Sequence, residues 1–434
     1  MNQTKASFKK YVIPSMISSV VLGTFSIIDG LFIGNKIGDI GLAAINYAYP
    51  ITALIQSIGF GLGVAGSILM SIAIGKKEDE KRYVGTTYAL FLLSFIILMP
   101  LLLLTGSNLL ILFGASGETH SEALIYLKFI VYATIPQVLS QGLMPIIRNY
   151  GHNKLVMIGL ILGFVTNLIL DYVFIYPLNM GLMGAAIATN LAQVVTTLFC
   201  LIILLQKKYR VRPIFDKKIM FNILKLSLSP FGLSFATNIV IIIINKACSI
   251  YQGDYAVAAY TAIAYVTYVV QKLIQGVGDG VQPLLSYSKG KGNRKKITTY
   301  LKYSLIWSLV IGLISTAVVI ILREQLGHIF GISDEAIYYF KDAAIFFSIS
   351  FIAQAIMRIA MSYFYSQNKE KYSLIIVYGE PVLILIFSLI LPLRLSVKGI
   401  WLTIPVSYIL LAIISVILMI IENKKEKAIL EKEN

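Results

Sequence analysis

The sequence predicts an all-α integral membrane protein, with about 12 transmembrane helices in two pseudo-symmetric six-helix lobes. Three observations predict this fold class: the composition, the spacing of apolar runs and an internal repeat. Of the 434 residues, 57% are hydrophobic and 13% are charged, whereas soluble domains carry about 25% charged residues. The mean hydropathy is +0.80. Apolar runs such as 88–104 and 306–322 are as long as a bilayer-spanning helix requires.

Twelve spans are predicted from these runs, each separated from the next by a short polar or glycine-containing loop. The first six spans form an N-lobe over residues 1–205 and the last six form a C-lobe over 222–421. A cytoplasmic linker (206–221) joins the lobes, and a cytoplasmic tail (422–434) follows. The predicted spans are 11–33, 42–74, 84–104, 123–146, 155–177, 182–205, 222–248, 256–288, 303–322, 337–364, 373–392 and 397–421.

The 37 basic residues, which give a net charge of +16, lie mostly in alternate loops rather than on one nucleic-acid-binding face. Basic residues concentrate in cytoplasmic loops of membrane proteins. We therefore expect a multi-pass protein of a prokaryotic plasma membrane, with both termini cytoplasmic and no nucleic-acid partner. The basic segments are the residues before the first span, 76–82, 148–154, 207–218, 289–302, 369–371 and the tail from Lys424.

No cofactor is predicted. The segment 61–66 matches the dinucleotide-binding pattern GxGxxG, but it lies inside a predicted span and follows no strand. Its glycines are interpreted as sites of close helix packing. The phosphate-binding pattern GxxxxGK[ST] does not occur in the sequence. Cys200 and Cys248 lie in apolar segments and are expected to be buried thiols.

An internal repeat appears when the chain is compared with itself at an offset of 215 to 217 residues. Pro14 aligns with Pro230, and several residues of the second span align with the eighth. An even number of spans per half places both halves in the same orientation, related by an axis along the membrane normal. A cavity between two such lobes would open to each side in turn. The aligned residues include Ala43–Ala44 with Ala258–Ala259, Gln56 with Gln271, and Gly61 and Gly63 with Gly276 and Gly278.

A charged acidic side chain inside a span costs free energy, so each such residue is a functional candidate by default. Asp29 lies late in the first span, and Asn167 and Asp171 lie four residues apart in the fifth, on one helix face. An amide and a carboxylate so placed could share a proton or coordinate a small cation. The repeat aligns Asp29 with Asn245, so the acid pair belongs to one lobe. In the alternative interpretation, Asp29 lies at the outer interface and Asp171 satisfies a neighbouring helix.

Pro14 lies in the first span, where it removes a helix hydrogen bond and permits a bend. Such a bend could couple ion binding to helix movement, although a tolerated kink is equally compatible. Gln137, Gln141 and Tyr172 are weaker candidates for a substrate cavity.

Among the other charged residues in spans, we single out four and interpret them as interfacial or as members of local ion pairs. These residues are Lys272, Asp279, Arg358 and Glu380.

Over essentially its whole length the chain resembles the multidrug and toxic compound extrusion (MATE) transporters. The resemblance rests on the two six-span halves, the Pro14–Asp29 helix, the Asn167–Asp171 helix and the segment 184–189 that follows. It implies an N-lobe cation site at Asp29, Asn167, Asp171, Ala185 and Thr189, which would take H⁺ or Na⁺. The interiors of 222–248 and 337–364 carry no acid, a pattern that is similar to the DinF-like branch.

The expected function is secondary active export of cationic amphiphilic compounds by antiport with H⁺ or Na⁺, performed by a monomer in the lipid bilayer. A flippase for a lipid-linked precursor is the alternative, because it would share the two-lobe architecture. A membrane enzyme is disfavoured because the histidines, at positions 120, 152 and 328, fall in loops. The loops are too short for the interaction domain of a receptor or structural protein.

Overall fold

The computed structural model describes residues 2–252, 254–329 and 333–433, and their regular structure is entirely helical. Helices satisfy their own backbone hydrogen bonds, which hydrocarbon requires of a spanning segment. Charged residues end an apolar run but do not end a helix, so most helices extend several residues beyond the predicted spans. The first half of the chain contains α1 (Asn2–Ile37), α2 (Asp39–Lys76), α3 (Lys81–Leu112), α4 (Gly117–Tyr132), α5 (Thr134–Asn149), α6 (Asn153–Ile175) and α7 (Gly181–Leu204).

The second half repeats this pattern with three differences, the first being that one continuous helix, α12, stands where α4 and α5 stand in the first half. A short helix, α11, precedes α12, and α14 is broken at Ser396, whose φ of 49° is left-handed. The helices are α8 (Lys217–Gln252), α9 (Asp254–Gly290), α10 (Arg294–Ile321), α11 (Arg323–Ile329), α12 (Asp334–Ser366), α13 (Glu370–Ile390) and α14 (Pro392–Glu433).

Eleven helices among the described residues are long and apolar enough to cross a membrane, and α4 with α5 forms a twelfth if the pair is one span. This confirms the predicted fold class. The continuous helix predicted at 123–146 is wrong, however, because α4 and α5 meet at Ala133 with a bend of 59°. The tenth predicted span has no such break, since α12 is continuous.

The break at Ala133 frees carbonyl groups that hydrocarbon would leave without donors. The carbonyls of residues 129–131, at the end of α4, each receive a side-chain donor instead. Asn190 Nδ2 donates to residue 129 at 2.8 Å, Gln137 Nε2 to residue 130 at 2.8 Å, and Thr134 Oγ1 to residue 131 at 2.6 Å. Side chains of α5 and α7 therefore supply donors to the carbonyls at the end of α4, although Gln137 Oε1 and Asn190 Oδ1 are themselves buried without a partner among the described residues.

Contacts divide the chain into two compact units. The N-terminal unit contains residues 2–235 and 286–293, and the C-terminal unit contains 236–285 and the chain from Arg294 onward. Helices α8 and α9 each contribute to both units. In the N-terminal unit α6 packs on α1 and α7, and α2 packs on α4 and α5; in the C-terminal unit α12 packs on α10, α13 and α14.

The glycines of segment 61–66 pack closely against other helices, as the sequence predicted. A methyl group on Gly63 would overlap the backbone of Gly142 on α5, and one on Gly66 would overlap Thr87 on α3. These contacts let α2 approach its neighbours at backbone distance, because glycine has no side chain to separate them. The segment is a packing surface rather than a nucleotide loop.

We expect Gly63→Ala to lower the thermal midpoint of the detergent-solubilised protein, because overpacking typically costs about 1–3 kcal/mol. Gly30→Ala is the control, since a methyl group there meets nothing within 4 Å and alanine favours a helix. Fluorescence-detected size exclusion after heating measures both midpoints. Equal midpoints for the two variants would contradict close packing at Gly63.

Candidate ion-binding site

Three polar side chains predicted from the sequence meet where α1 packs on α6. The carboxyl group of Asp29 lies beside the carboxyl group of Asp171 and the carboxamide of Asn167. Asn167 and Asp171 are each 1% exposed, and their spacing of four residues places both on one face of α6. Asp29 therefore faces this cluster: its side chain as a whole is half-buried, and its Oδ1 is buried.

Four polar atoms of this cluster are buried and have no hydrogen-bond partner within the described part of the chain. They are Asp29 Oδ1, Asn167 Nδ2 and both carboxylate oxygens of Asp171. A buried polar atom without a partner costs roughly 1–3 kcal/mol, and two adjacent carboxylates repel each other. Both costs are relieved by a cation, so the chemistry of the cluster favours binding a proton or a small metal ion.

The packing of α6 against α7 shows how far along the helix axes the two remaining predicted residues, Ala185 and Thr189, lie relative to Asn167 and Asp171. Gly163 on α6 packs against Thr196 on α7, and Phe174 packs against Gly184. The two helices are therefore antiparallel, and the segments between these contacts have nearly equal lengths. Thr189 lies near the middle of its segment.

Interpolation between these contacts places Thr189 at a level between Asn167 and Asp171. Ala185 lies at the level just beyond Asp171, one turn from Thr189. Both α7 residues are buried, with exposures of 3% for Ala185 and 5% for Thr189. The structure thus places all five predicted residues, including Asp29, within one short section of α1, α6 and α7.

Tyr126 on α4 also belongs to this region, and the sequence did not indicate it. It is 7% exposed, and its hydroxyl lies within electrostatic range of both Asp29 and Asp171. The sequence predicts 123–146 as one span, and in one continuous helix Tyr126 and Gln137 would lie on the same face. Because the bend at Ala133 turns these residues in different directions, the sequence alone did not indicate Tyr126. A hydroxyl at this position adds a neutral donor or acceptor beside the carboxyl groups.

Pro14 is buried within α1, and the helix continues through it. Beside it, Asn153 Nδ2 at the start of α6 donates to the carbonyl of Tyr11 at 2.8 Å. A second contact thus joins α1 to α6, roughly five turns from Asp29. Helix α1 is attached to α6 both beside Pro14 and at the acidic cluster.

The three weaker cavity candidates have different surroundings. Gln137 is fully buried and its carboxamide nitrogen is used at the α4–α5 break. Gln141 is half-buried. Tyr172 is 56% exposed and stacks on Tyr176, with ring centroids 5.6 Å apart.

The C-terminal unit contains a buried ion pair. Arg358 Nη2 on α12 lies 3.2 Å from Glu380 Oε1 on α13, and both side chains are 2% exposed. The hydroxyl of Tyr408 on α14 donates to the same oxygen at 2.8 Å. The interpretation as a local ion pair is confirmed for these two residues. Lys272 Nζ instead lies 5.1 Å from the ring centroid of Tyr268.

We expect Glu380→Met to destabilise the protein by about 3–5 kcal/mol, because it leaves the Arg358 guanidinium buried without its counter-charge. The double variant Arg358→Met/Glu380→Met removes both charges and should recover most of that loss. Thermal midpoints in detergent measure both variants. A double variant no more stable than Glu380→Met would show that the pair does not account for the loss.

The acidic cluster fits a monovalent cation better than a multivalent metal. No group of three or more His, Cys, Asp or Glu side chains able to hold a metal ion occurs among the described residues. Two carboxylates, an amide and a nearby hydroxyl supply hard oxygen ligands suitable for Na⁺, and the carboxylates can equally accept H⁺.

A duplicated bundle of about twelve spans with a buried acid cluster in one unit has the architecture of a secondary transporter. The model of the MatE family matches residues 14–173 and again 230–390. The chain therefore belongs to the MatE family, which comprises multidrug efflux transporters and not enzymes. The double match also confirms the internal repeat.

Known relatives agree with this assignment. The chain is 26% identical to the multidrug export protein MepA of Staphylococcus saprophyticus over 336 residues, covering 75% of this chain and 73% of that protein. MepA of Staphylococcus haemolyticus is 26% identical over 330 residues, covering 74% and 72%. A solved outward-facing multidrug resistance MATE transporter has a TM-score of 0.90 at 23% identity, covering 98% of this chain and 97% of that chain. At that identity the structural likeness shows the fold alone.

Proposed function

We propose that this protein exports cationic amphiphilic compounds from a prokaryotic cell by antiport with H⁺ or Na⁺. The coupling ion binds at Asp29, Asn167 and Asp171, with Ala185 and Thr189 completing the site. The observation that carries the proposal is the set of buried carboxylate oxygens that lack donors. The names of the MepA relatives, which are multidrug export proteins, support the substrate class.

In the proposed cycle, ion occupancy controls how α1 packs on α6. The outward-facing protein binds the ion between Asp29 and Asp171, which removes their mutual repulsion and draws α1 onto α6. Helix α1 then moves about Pro14, where the missing hydrogen bond lowers the cost of bending, and the compound is released outside. The inward-facing protein loses the ion to the cytoplasm and binds the next compound.

The energetics constrain the stoichiometry. A hundredfold gradient of the exported compound requires roughly 2.8 kcal/mol, at about 1.4 kcal/mol per decade. One elementary charge crossing about 100 mV supplies about 2.3 kcal/mol. Exchange of one monovalent organic cation for one H⁺ moves no net charge, so voltage alone does not drive it. Either two ions enter per cycle, or the ion's concentration gradient supplies the work. Two neighbouring carboxyl groups can bind two protons.

The remaining sequence predictions complete the proposal. Both termini lie in the cytoplasm, the monomer is the transporting unit, and the two lobes meet through the linker 206–221. Restriction of the proposed ion site to the N-lobe supports assignment to the DinF-like branch.

Neutralising either acid should abolish coupled export. We expect Asp29→Asn and Asp171→Asn each to reduce ethidium efflux at least tenfold, because neither variant can hold the cation between two carboxylates. Reconstituted vesicles with an imposed gradient measure efflux, and size exclusion checks folding. Glu118→Gln is the matched control, since it makes the same acid-to-amide change at an exposed position of α4. Full efflux by both aspartate variants would refute the site.

Imposing a pH gradient and a Na⁺ gradient separately identifies the ion. Efflux by the wild type should follow one gradient and fail under the other. Efflux under neither gradient, together with movement of a fluorescent lipid-linked pyrophosphate between leaflets, would instead support the flippase.

A further inference from the structure

A basic pocket of about 610 Å³ lies directly after α7 in the N-terminal unit, lined by Leu205, Lys207, Arg210 and Arg212. The three cationic side chains are exposed. This segment lies at the end of the unit where the basic loops gather, since Asp216 pairs with Arg82 at the start of α3. The pocket is therefore at the membrane surface and not within a span.

The segment that forms the pocket is held in place by several contacts. Tyr209 is 7% exposed, and its ring centroid lies 4.6 Å from that of Tyr150. Its hydroxyl lies 2.7 Å from His152 Nε2. Partial burial, with Lys208 and Lys10 nearby, lowers the pKa of His152, so the imidazole is neutral at pH 7. The backbone N–H of Ile214 donates to the carbonyl of residue 85 at 3.0 Å.

The basic side chains of the pocket have no carboxylate in direct contact within the described part of the chain, although Asp79 and Glu80 lie within electrostatic range of Tyr150 nearby. Among the described residues, no ion pair joins Lys207, Arg210 or Arg212 to a carboxylate. The acid of this segment, Asp216, receives the backbone N–H of Ile219 and the guanidinium of Arg82, and these hold the pKa of its carboxyl below the usual range. Three like charges held around one concavity attract an anion.

An apolar stripe on α7 leads to this pocket. Leu198, Ile202 and Leu205 lie on one face of the helix and its extension and are 53%, 68% and 60% exposed. An anion alone would use only the basic groups, whereas a molecule with an anionic head and an apolar tail would use both. We propose that the pocket binds the phosphate headgroup of an anionic phospholipid, whose acyl chain lies along Leu198 and Ile202. Clusters of basic residues at the cytoplasmic end of a span recognise such headgroups.

Native mass spectrometry of the full-length protein, titrated with phosphatidylglycerol or phosphatidylcholine, tests the site. The wild type should retain phosphatidylglycerol preferentially. The triple variant Lys207→Gln/Arg210→Gln/Arg212→Gln should lose about a hundredfold in affinity for it, at about fivefold per basic residue. The charge-retaining variant Arg210→Lys/Arg212→Lys should keep most of the binding.

The matched control removes three other exposed basic residues from the same end of the same unit, as Lys5→Gln/Lys9→Gln/Lys77→Gln. If both triple variants lost the same affinity for phosphatidylglycerol, general surface charge would explain the binding and the proposed pocket would be wrong. If inorganic phosphate displaced the lipid at a comparable concentration, the pocket would be a site for free phosphate and not for a lipid. The assay requires no transport, so its result is independent of the proposed antiport.

Discussion

The fold depends on one constraint, that a polar group in hydrocarbon must find its partner within the protein. The α4–α5 break shows how side chains of the N-terminal unit help to meet it. Thr134, Gln137 and Asn190 donate to the carbonyls of residues 129–131, and the backbone N–H of Ala133 also donates to residue 130. Gln137 is thus explained by this bonding. Isolated buried atoms without partners occur elsewhere among the described residues, whereas the acidic cluster brings four of them together, and this concentration favours a bound cation.

The two attachments of α1 to α6 differ in kind. The bond from Asn153 to the Tyr11 carbonyl is neutral on both sides, so its strength does not depend directly on the charge of an ion. The contact of Asp29 with Asp171 is repulsive when both carboxyls are ionised and favourable when a cation lies between them. In the proposed cycle, α1 would stay attached beside Pro14 and would be held only conditionally at the acidic cluster. A small ion could then control the position of the whole helix.

The sequence predicted the spans, the repeat and the acidic cluster because each rests on a local or periodic signal. Hydropathy identifies a span, and a spacing of four residues places Asn167 with Asp171. The hydropathy pattern did not predict the bend at Ala133, because the apolar run continues across it; Pro136, which has no backbone N–H, is the local signal that could have indicated the break. Tyr126 was missed for the same reason. Nor could the sequence show that Arg358 pairs with Glu380, because that contact depends on how α12 and α13 pack and on how each helix is rotated about its axis.

The ion pair of the C-terminal unit has an electrical consequence. Arg358 and Glu380 carry opposite charges 3.2 Å apart, so the field across the membrane exerts almost no net force on the pair. Within the described part of the chain, no cationic side chain pairs with the carboxyl groups of Asp29 and Asp171, and each elementary charge crossing the membrane exchanges about 2.3 kcal/mol with a potential of about 100 mV. The two halves of the repeat thus differ in their response to voltage: the field acts on the acidic cluster of one half whenever a carboxyl there is ionised, while the buried pair of the other remains insensitive to it.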